Sequence, residues 1–351
     1  MSENVHDKKR LAELQALPLE RKILITQTRI IEWYTRWKGQ VYVSFSGGKD
    51  STVLLHIARQ CFQDIEAVFV NTGLEFPELQ KFAKSFDNVT VLRPEMSFVD
   101  VIKTYGYPII SKEVGNTISC ARDNINAHKY SLRLCKLGVK ETEYGGLRNS
   151  GKYDYEKTLT GSKFSQVKYK PLLDVDFLIS DRCCDVMKKS PLYGFGERTG
   201  KKPIIATMTS ESQLREKNWL KFGCNAFNSK HPKSAPMSFW TEQDVLEYIH
   251  RYNIPIASVY GEIVPSVDHC SYCTTGCERT GCVFCGFGAH LNHDDRFLRL
   301  RETHPRLYEY CIGGGEYNED GVWMPNKQGL GMGHVFDEIN KIYGENFIRY
   351  K

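Results

Sequence analysis

The stretch that decides the fold is Val41-Tyr42-Val43-Ser44-Phe45-Ser46-Gly47-Gly48-Lys49-Asp50-Ser51-Thr52. Its first five residues are mostly β-branched or aromatic, as a buried strand requires. Ser46, Gly47 and Gly48 then turn the chain where a Cβ would block close backbone approach. Ser51 or Thr52 is expected to open a helix through Val53-Leu54-Leu55-His56-Ile57-Ala58. A glycine turn feeding a helix N-terminus leaves N–H groups unpaired at the positive end of the helix dipole, which makes a phosphate site. The spacing is not Gly-x4-Gly-Lys-Ser/Thr, so a γ-phosphate-transferring NTPase is not the natural reading. A bare turn has no need of the serine, lysine and aspartate, which add phosphate and metal chemistry.

Working outward, Ala67-Val68-Phe69-Val70 reads as a second buried strand, ending in Asn71-Thr72-Gly73-Leu74-Glu75-Phe76-Pro77-Glu78. Pro77 is expected to start a helix to about Ser85, and Val89-Thr90-Val91-Leu92 to form a third strand. This alternation predicts an α/β fold with a doubly wound parallel sheet, whose ligands bind at the carboxyl ends of the strands. Both glycine-bearing turns fall at such ends. Upstream, residues 8–38 read as helices, with Leu11, Leu14 and Leu17 on one face and Ile23, Ile30, Trp33, Tyr34 and Trp37 packing on the sheet. Downstream, Pro203–Thr207 is expected as a strand, and Thr241 as the N-cap of a helix that Asn253-Ile254-Pro255 ends.

The 351 residues make one large or two small domains. A hydrophobic fraction of 41% and a charged fraction of 25% are ordinary for a globular protein. A net charge of +5 permits an anionic substrate without demanding nucleic acid. No apolar run approaches the ~20 residues of a membrane span. The polar start Met1-Ser2-Glu3-Asn4 carries no signal-peptide core, so a cytoplasmic location is expected. Twelve cysteines there would be ligands, catalysts or core residues rather than disulfides. Between Lys129 and Lys170, ten basic residues face four acidic ones, with Tyr130, Tyr144, Tyr153, Tyr155 and Tyr169 interleaved. Such an insertion suits either a nucleic-acid strand or a solvated surface.

Ser46-Gly47-Gly48-Lys49-Asp50-Ser51 resembles the PP-loop of the ATP pyrophosphatases, which grip the pyrophosphate of ATP while the α-phosphorus is attacked. Asn71-Thr72-Gly73-Leu74-Glu75-Phe76-Pro77-Glu78 resembles the Asp-Thr-Gly-x-x-Phe-Pro-Glu signature of the phosphoadenosine phosphosulfate reductase family, which includes the small subunit of ATP sulfurylase. Asn71 replaces the family aspartate. Glu211, Ser212 and Arg215 match the family's Gly-x-Arg-x-x-Glu-Ser-x-x-Arg, whereas Ala206 and Met208 stand where its glycine and first arginine would be. By this resemblance Arg215 would be the remaining phosphate or sulfate contact. The resemblance spans residues 38–300 and implies an adenine-nucleotide α-hydrolase-like domain. The expected layout is N-terminal helices at 1–38, the nucleotide domain at 39–260 and a cysteine-rich helical region at 261–351.

Two ligand sets compete among the cysteines. Cys183 and Cys184 with Cys282 and Cys285 form the tandem-Cys plus Cys-x2-Cys arrangement of the bacterial adenylyl-sulfate reductases, which implies a [4Fe-4S] cluster. Cys270, Cys273, Cys282 and Cys285 are an alternative zinc (Zn2+) set with a short central spacer. Cys270, Cys273 and Cys277 otherwise suit a persulfide carrier or disulfide relay. The sulfonucleotide reductases' Glu-Cys-Gly-x-His element is absent from the sequence, and Cys311 does not match it.

The resemblance implies ATP-dependent adenylation feeding sulfur transfer. Ser46, Gly47, Gly48 and Ser51 would hold the pyrophosphate, Lys49 would neutralise it and Asp50 would place Mg2+. The backbone near Val70 and Asn71 would receive the adenine, with Asn71, Thr72 and Gly73 among the cofactor-binding residues. A persulfide or sulfide would donate sulfur to an acceptor, with a nucleic acid entering through the basic insertion. The phosphorothioation adenylation proteins and tRNA thiolases are similar. Competing expectations are reduction of adenylyl sulfate or its 3′-phosphate to sulfite, a non-catalytic nucleotide- or Fe–S-binding regulator, and ATP sulfurylase activity. Oligomeric state is left open.

Overall fold

The computed structural model describes residues 6–148, 165–266, 271–291 and 294–351. They group into two compact units, each discontinuous in sequence: 1–94 with 189–282, and 95–188 with 283–351. The linear division expected at 38 and 260 is therefore not the grouping that contacts produce.

The first unit holds the sheet. Its strands are β1 (Val41–Phe45), β2 (Ala67–Val70), β3 (Val89–Leu92), β4 (Lys202–Ile204), β5 (Asn225–Ala226) and β6 (Lys233–Ser234), in spatial order β3-β2-β1-β4-β6-β5. All neighbouring pairs are parallel except β5 with β6. Register pairs Val43 with Ala67 on one side and with Ile204 on the other, so β1 is central. Such a strand is buried on both faces, and Val41, Tyr42, Val43 and Phe45 are buried accordingly.

Helices flank the sheet in the expected order: α1 (Lys8–Gln15), α2 (Leu19–Arg36), α3 (Lys49–Cys61), α4 (Pro77–Lys84), α5 (Ser190–Thr199), α6 (Gln213–Phe222) and α7 (Glu242–Tyr252). Leu11, Leu14, Ile30 and Trp33 are buried in the same core as β1, which is the packing the aromatic stripe foretells. α3 begins at Lys49 with Gly48 as N-cap, two residues earlier than expected, because Gly48 O accepts from both the Ser51 and Thr52 hydroxyls at 3.0 Å. The strand expected at 203–207 ends at Ile204. Thr241 caps α7 in a capping box with Asp244, as read. Asp244 also forms a buried ion pair with Lys22 of α2 at 2.6 Å, which ties two helices 222 residues apart.

The second unit is mainly helical. It contains Phe98–Tyr105, Lys112–Asn126, Leu132–Lys136, Arg296–Thr303, Pro305–Ile312 and Met332–Tyr343. Ile109–Ile110 pairs in parallel with Gly286–Phe287, and Glu316–Tyr317 pairs antiparallel with Trp323–Met324. The guanidinium of Arg122 donates to the carbonyls of Leu172, Leu173, Val175 and Phe177, which pins the chain leading towards Cys183. Two tyrosines of the basic insertion are interior: Tyr130 and Tyr169 are buried, so neither presents a face for base stacking. Tyr153 and Tyr155 lie outside the described residues. No helix among the described residues is long and apolar enough to cross a membrane.

Candidate functional site

The turn between β1 and α3 is a nest of short-range polar contacts. Ser46 N donates to Ser51 Oγ at 3.2 Å, the two hydroxyls are 3.0 Å apart, and Gly48 N donates to Ser46 Oγ at 3.3 Å. Gly47 has φ +73°, and a Cβ there would lie 3.0 Å from Leu79 O. Glycine is thus required twice over, by backbone conformation and by helix approach. The predicted Ser46, Gly47, Gly48, Lys49, Asp50 and Ser51 are brought together as the sequence implies.

Lys49 and Asp50 are the charged pair of this nest. Lys49 is buried; its Nζ donates to Glu278 O at 2.8 Å and lies 2.9 Å from Glu242 Oε1. Its backbone N donates to Tyr260 Oη at 3.3 Å, and that hydroxyl is 2.5 Å from Thr280 Oγ1. Asp50 Oδ1 is shut off from solvent and has no hydrogen-bond partner. Burial pushes the Asp50 carboxyl above its usual range; Lys49, Arg279 and Arg215 pull the other way and Glu242 adds to the rise. A hard cation would satisfy that oxygen. Mg2+ is commonly held by one or two carboxylates plus substrate phosphates, so a single aspartate at this position fits it.

Glu242, Tyr260, Glu278, Thr280 and Arg279 were not singled out by sequence reasoning. Tyr260 is 211 residues from Lys49, and no local pattern joins them. Arg279 pairs with Glu211 at 2.8 Å, and the same carboxylate takes Arg215. Arg215 stands in the first turn of α6 and acts electrostatically on Asp50, so the predicted anion contact does share the field of the nest.

At the end of β2, Thr72 Oγ1 donates to Glu75 Oε1 at 2.7 Å and Thr72 N to Glu75 Oε2 at 3.1 Å, while Gly73 N donates to Asn71 Oδ1 at 3.2 Å. Thr72 and Glu75 are buried, and Asn71 closes an Asx turn rather than facing a charge partner. A Cβ on Gly73 would meet nothing within 4 Å, so its backbone is open to a ligand.

The cysteines divide between the units. Cys183 and Cys184 precede a π-helical turn at Asp185–Lys189, a geometry frequent at functional sites. Cys285 shares their unit, while Cys282 is the last residue of the other. Arg296 Nη1 donates to the carbonyls of Cys285 and Phe287 at 3.0 Å, fixing that turn. Among the described residues, no three His, Cys, Asp or Glu side chains gather to hold a metal ion. Cys270, of the zinc set and the carrier set, lies outside the described residues. Cys273 is exposed and Cys277 buried. Cys311 is wholly enclosed beside Met332 Sδ at 3.6 Å, and burial pushes its thiol far up, so it is an inert core thiol.

A phosphate nest at the carboxyl edge of a parallel sheet, with a lysine and a buried aspartate at the helix start, defines a nucleotide-binding α/β protein of the PP-loop class. The chain belongs to the phosphoadenosine phosphosulfate reductase family: the family model for the phosphoadenosine phosphosulfate reductase domain matches residues 40–110 and 150–286. It is 33% identical over 299 residues to an uncharacterized protein of Methanocaldococcus jannaschii, covering 84% of this chain and 52% of that one. It is 23% identical over 259 residues to sulfate adenylyltransferase subunit 2 of Photorhabdus laumondii, covering 72% and 69%. The Salmonella arizonae subunit 2 is 24% identical over the same coverage. The chain thus spans about half the length of the Methanocaldococcus relative.

Proposed function

We propose that the PP-loop face binds ATP with Mg2+ and transfers the adenylyl group to an acceptor oxygen, after which sulfur displaces AMP. The observation that carries this reading is the partnerless Asp50 Oδ1 buried beside Lys49 in a glycine nest. The adenylyl transfer named in the sulfate adenylyltransferase relatives supports it.

The nest N–H groups and the Ser46 and Ser51 hydroxyls would exchange their long internal bonds for pyrophosphate oxygens. Lys49 would turn from Glu278 O to the phosphates and meet the charge that grows on the leaving group. Asp50 would hold Mg2+, which would supply further neutralisation of the phosphates. The acceptor oxygen forms a bond to the α-phosphorus as the bond to pyrophosphate breaks. Sulfide, or a persulfide with a thiol reductant, then replaces the adenylyl-bearing oxygen and releases AMP. A [4Fe-4S] cluster on Cys183, Cys184, Cys282 and Cys285, or zinc, belongs to the proposal by thiol chemistry alone, and no step is routed through it. A nucleic-acid acceptor likewise stays a proposal.

The test is pyrophosphate release from ATP and Mg2+ by anaerobically purified protein, with candidate acceptors and a sulfide donor, beside Asp50→Ala. Pyrophosphate and AMP that vanish in the variant are expected. The family match favours one second reading, reduction of a sulfonucleotide. Sulfite from adenylyl sulfate with a thiol reductant, and no pyrophosphate from ATP, would replace the first reading with that one.

A further inference from the structure

A separate cavity of about 280 Å³ opens beside α6, and its charge is one-sided. Arg215, Lys230, His231 and Lys233 line it with the hydroxyls of Thr207 and Ser229, and no carboxylate is in its wall. Neither Lys230 nor Lys233 forms an ion pair among the described residues. Glu211, which pairs with Arg215, is shared with Arg279. Lys233 is crowded by its own kind: desolvation, then Lys189 and Arg215, hold its ammonium below the ordinary lysine range. Ordinary surface lysines spread out and pair or hydrate. Like charges gathered at one cavity wall cost free energy unless an anion joins them.

The position is built rather than incidental. Lys233 sits on β6, whose Ser234 pairs with Ile204 of β4, so it is anchored to the sheet. The cavity is not a bare ion hole. Trp219 and Phe222 supply an apolar wall, and His231 stacks on Tyr193 with centroids 4.9 Å apart. Its volume falls just below the ~300–1,000 Å³ typical of small-molecule sites.

We propose that this cavity is a second anion site that takes a phosphomonoester, its phosphate held by Lys233 with Arg215 and its planar or apolar body laid against Trp219 and Phe222. The proposal shares Arg215 with the adenylation reading but uses neither Lys49 nor Asp50, so the two can fail separately.

Calorimetric titration of the full chain with phenyl phosphate, inorganic phosphate, inorganic sulfate and phenol tests it. Phenyl phosphate is expected to bind at least tenfold more tightly than any of the other three. Lys233→Ala is expected to weaken it at least tenfold, Lys233→Arg to keep most of the affinity, and Lys49→Ala to leave it unchanged. The variants should melt as the wild type does, which circular dichroism checks. Affinity untouched by Lys233→Ala, loss on Lys49→Ala instead, or no saturable heat with phenyl phosphate at millimolar concentration would each overturn the proposal. Absence of pyrophosphate release from ATP would leave it standing and strike only the adenylation reading.

Discussion

Asp50→Asn should make the protein more stable and inactive at once. Asp50 Oδ1 is buried without a partner, and burial outweighs the attraction of Lys49, Arg279 and Arg215 in setting its protonation. An unsatisfied buried polar group costs about 1–3 kcal/mol, and more when charged. Removing the charge should recover an amount of that order. At about 2–4 °C per kcal/mol for a unit of this size, the melting temperature should rise by about 2–12 °C at neutral pH. The sign has a pH signature. Between the ordinary value of 3.8 and the raised native value, the folded state holds the extra proton, so stability falls as pH rises through that window. The gain in Asp50→Asn should therefore be full above the window and absent below it. Saturating Mg2+ and ATP should reverse the order, because a ligand at 100 times its Kd adds about 2.7 kcal/mol to the wild type only. Thermal melts across pH 3–8, with and without Mg2+ and ATP, read all of this. A variant less stable than wild type without ligand, or a gain that ignores pH, would refute the assignment of Asp50 as an uncompensated carboxylate awaiting a cation.

Two further expectations follow from single contacts and a third from the proposed cysteine set. Tyr260→Phe removes the hydroxyl that takes the Lys49 backbone N–H and bonds Thr280; it should cost about 1 kcal/mol in urea unfolding while leaving ATP affinity equal or higher, and a tenfold loss of affinity would show instead that Tyr260 binds nucleotide. Lys22→Met strands Asp244, whose side chain is 11% exposed; a loss of about 3–5 kcal/mol in urea unfolding is expected, and a loss under 1 kcal/mol would mean the pair is solvated. Cys282→Ser with Cys285→Ser should remove the visible absorbance of anaerobically purified protein, and colourless wild type with stoichiometric zinc would sink the cluster.

Much of the site is written in residues 41–52. β-branched residues, two glycines and a helix start act within a few positions of one another, and the structure places Ser46 to Ser51 as that pattern implies. The Thr241 capping box is legible for the same reason. Interleaved tyrosines, by contrast, read as an exposed aromatic surface, yet Tyr130 and Tyr169 are buried. Each has an apolar ring with one polar atom, and Tyr130 satisfies its hydroxyl internally on Val139 O at 2.9 Å. Composition cannot distinguish that from a stacking platform.

The sequence by itself determined the strand–turn–helix and the parallel α/β class, because those rest on local conformation and periodicity, and it carried the motifs whose resemblance implied the family. Only the tertiary structure decided what closes over the nest: Tyr260, Glu278 and Thr280 at Lys49 and Gly48, and Glu242 at the same ammonium. It alone decided that Lys233 stands near Arg215, in a cavity with no carboxylate. The physical reason is the strand order β3-β2-β1-β4-β6-β5. It brings segments some two hundred residues apart to one carboxyl edge, and no interaction within a few residues along the chain encodes which side chains meet there.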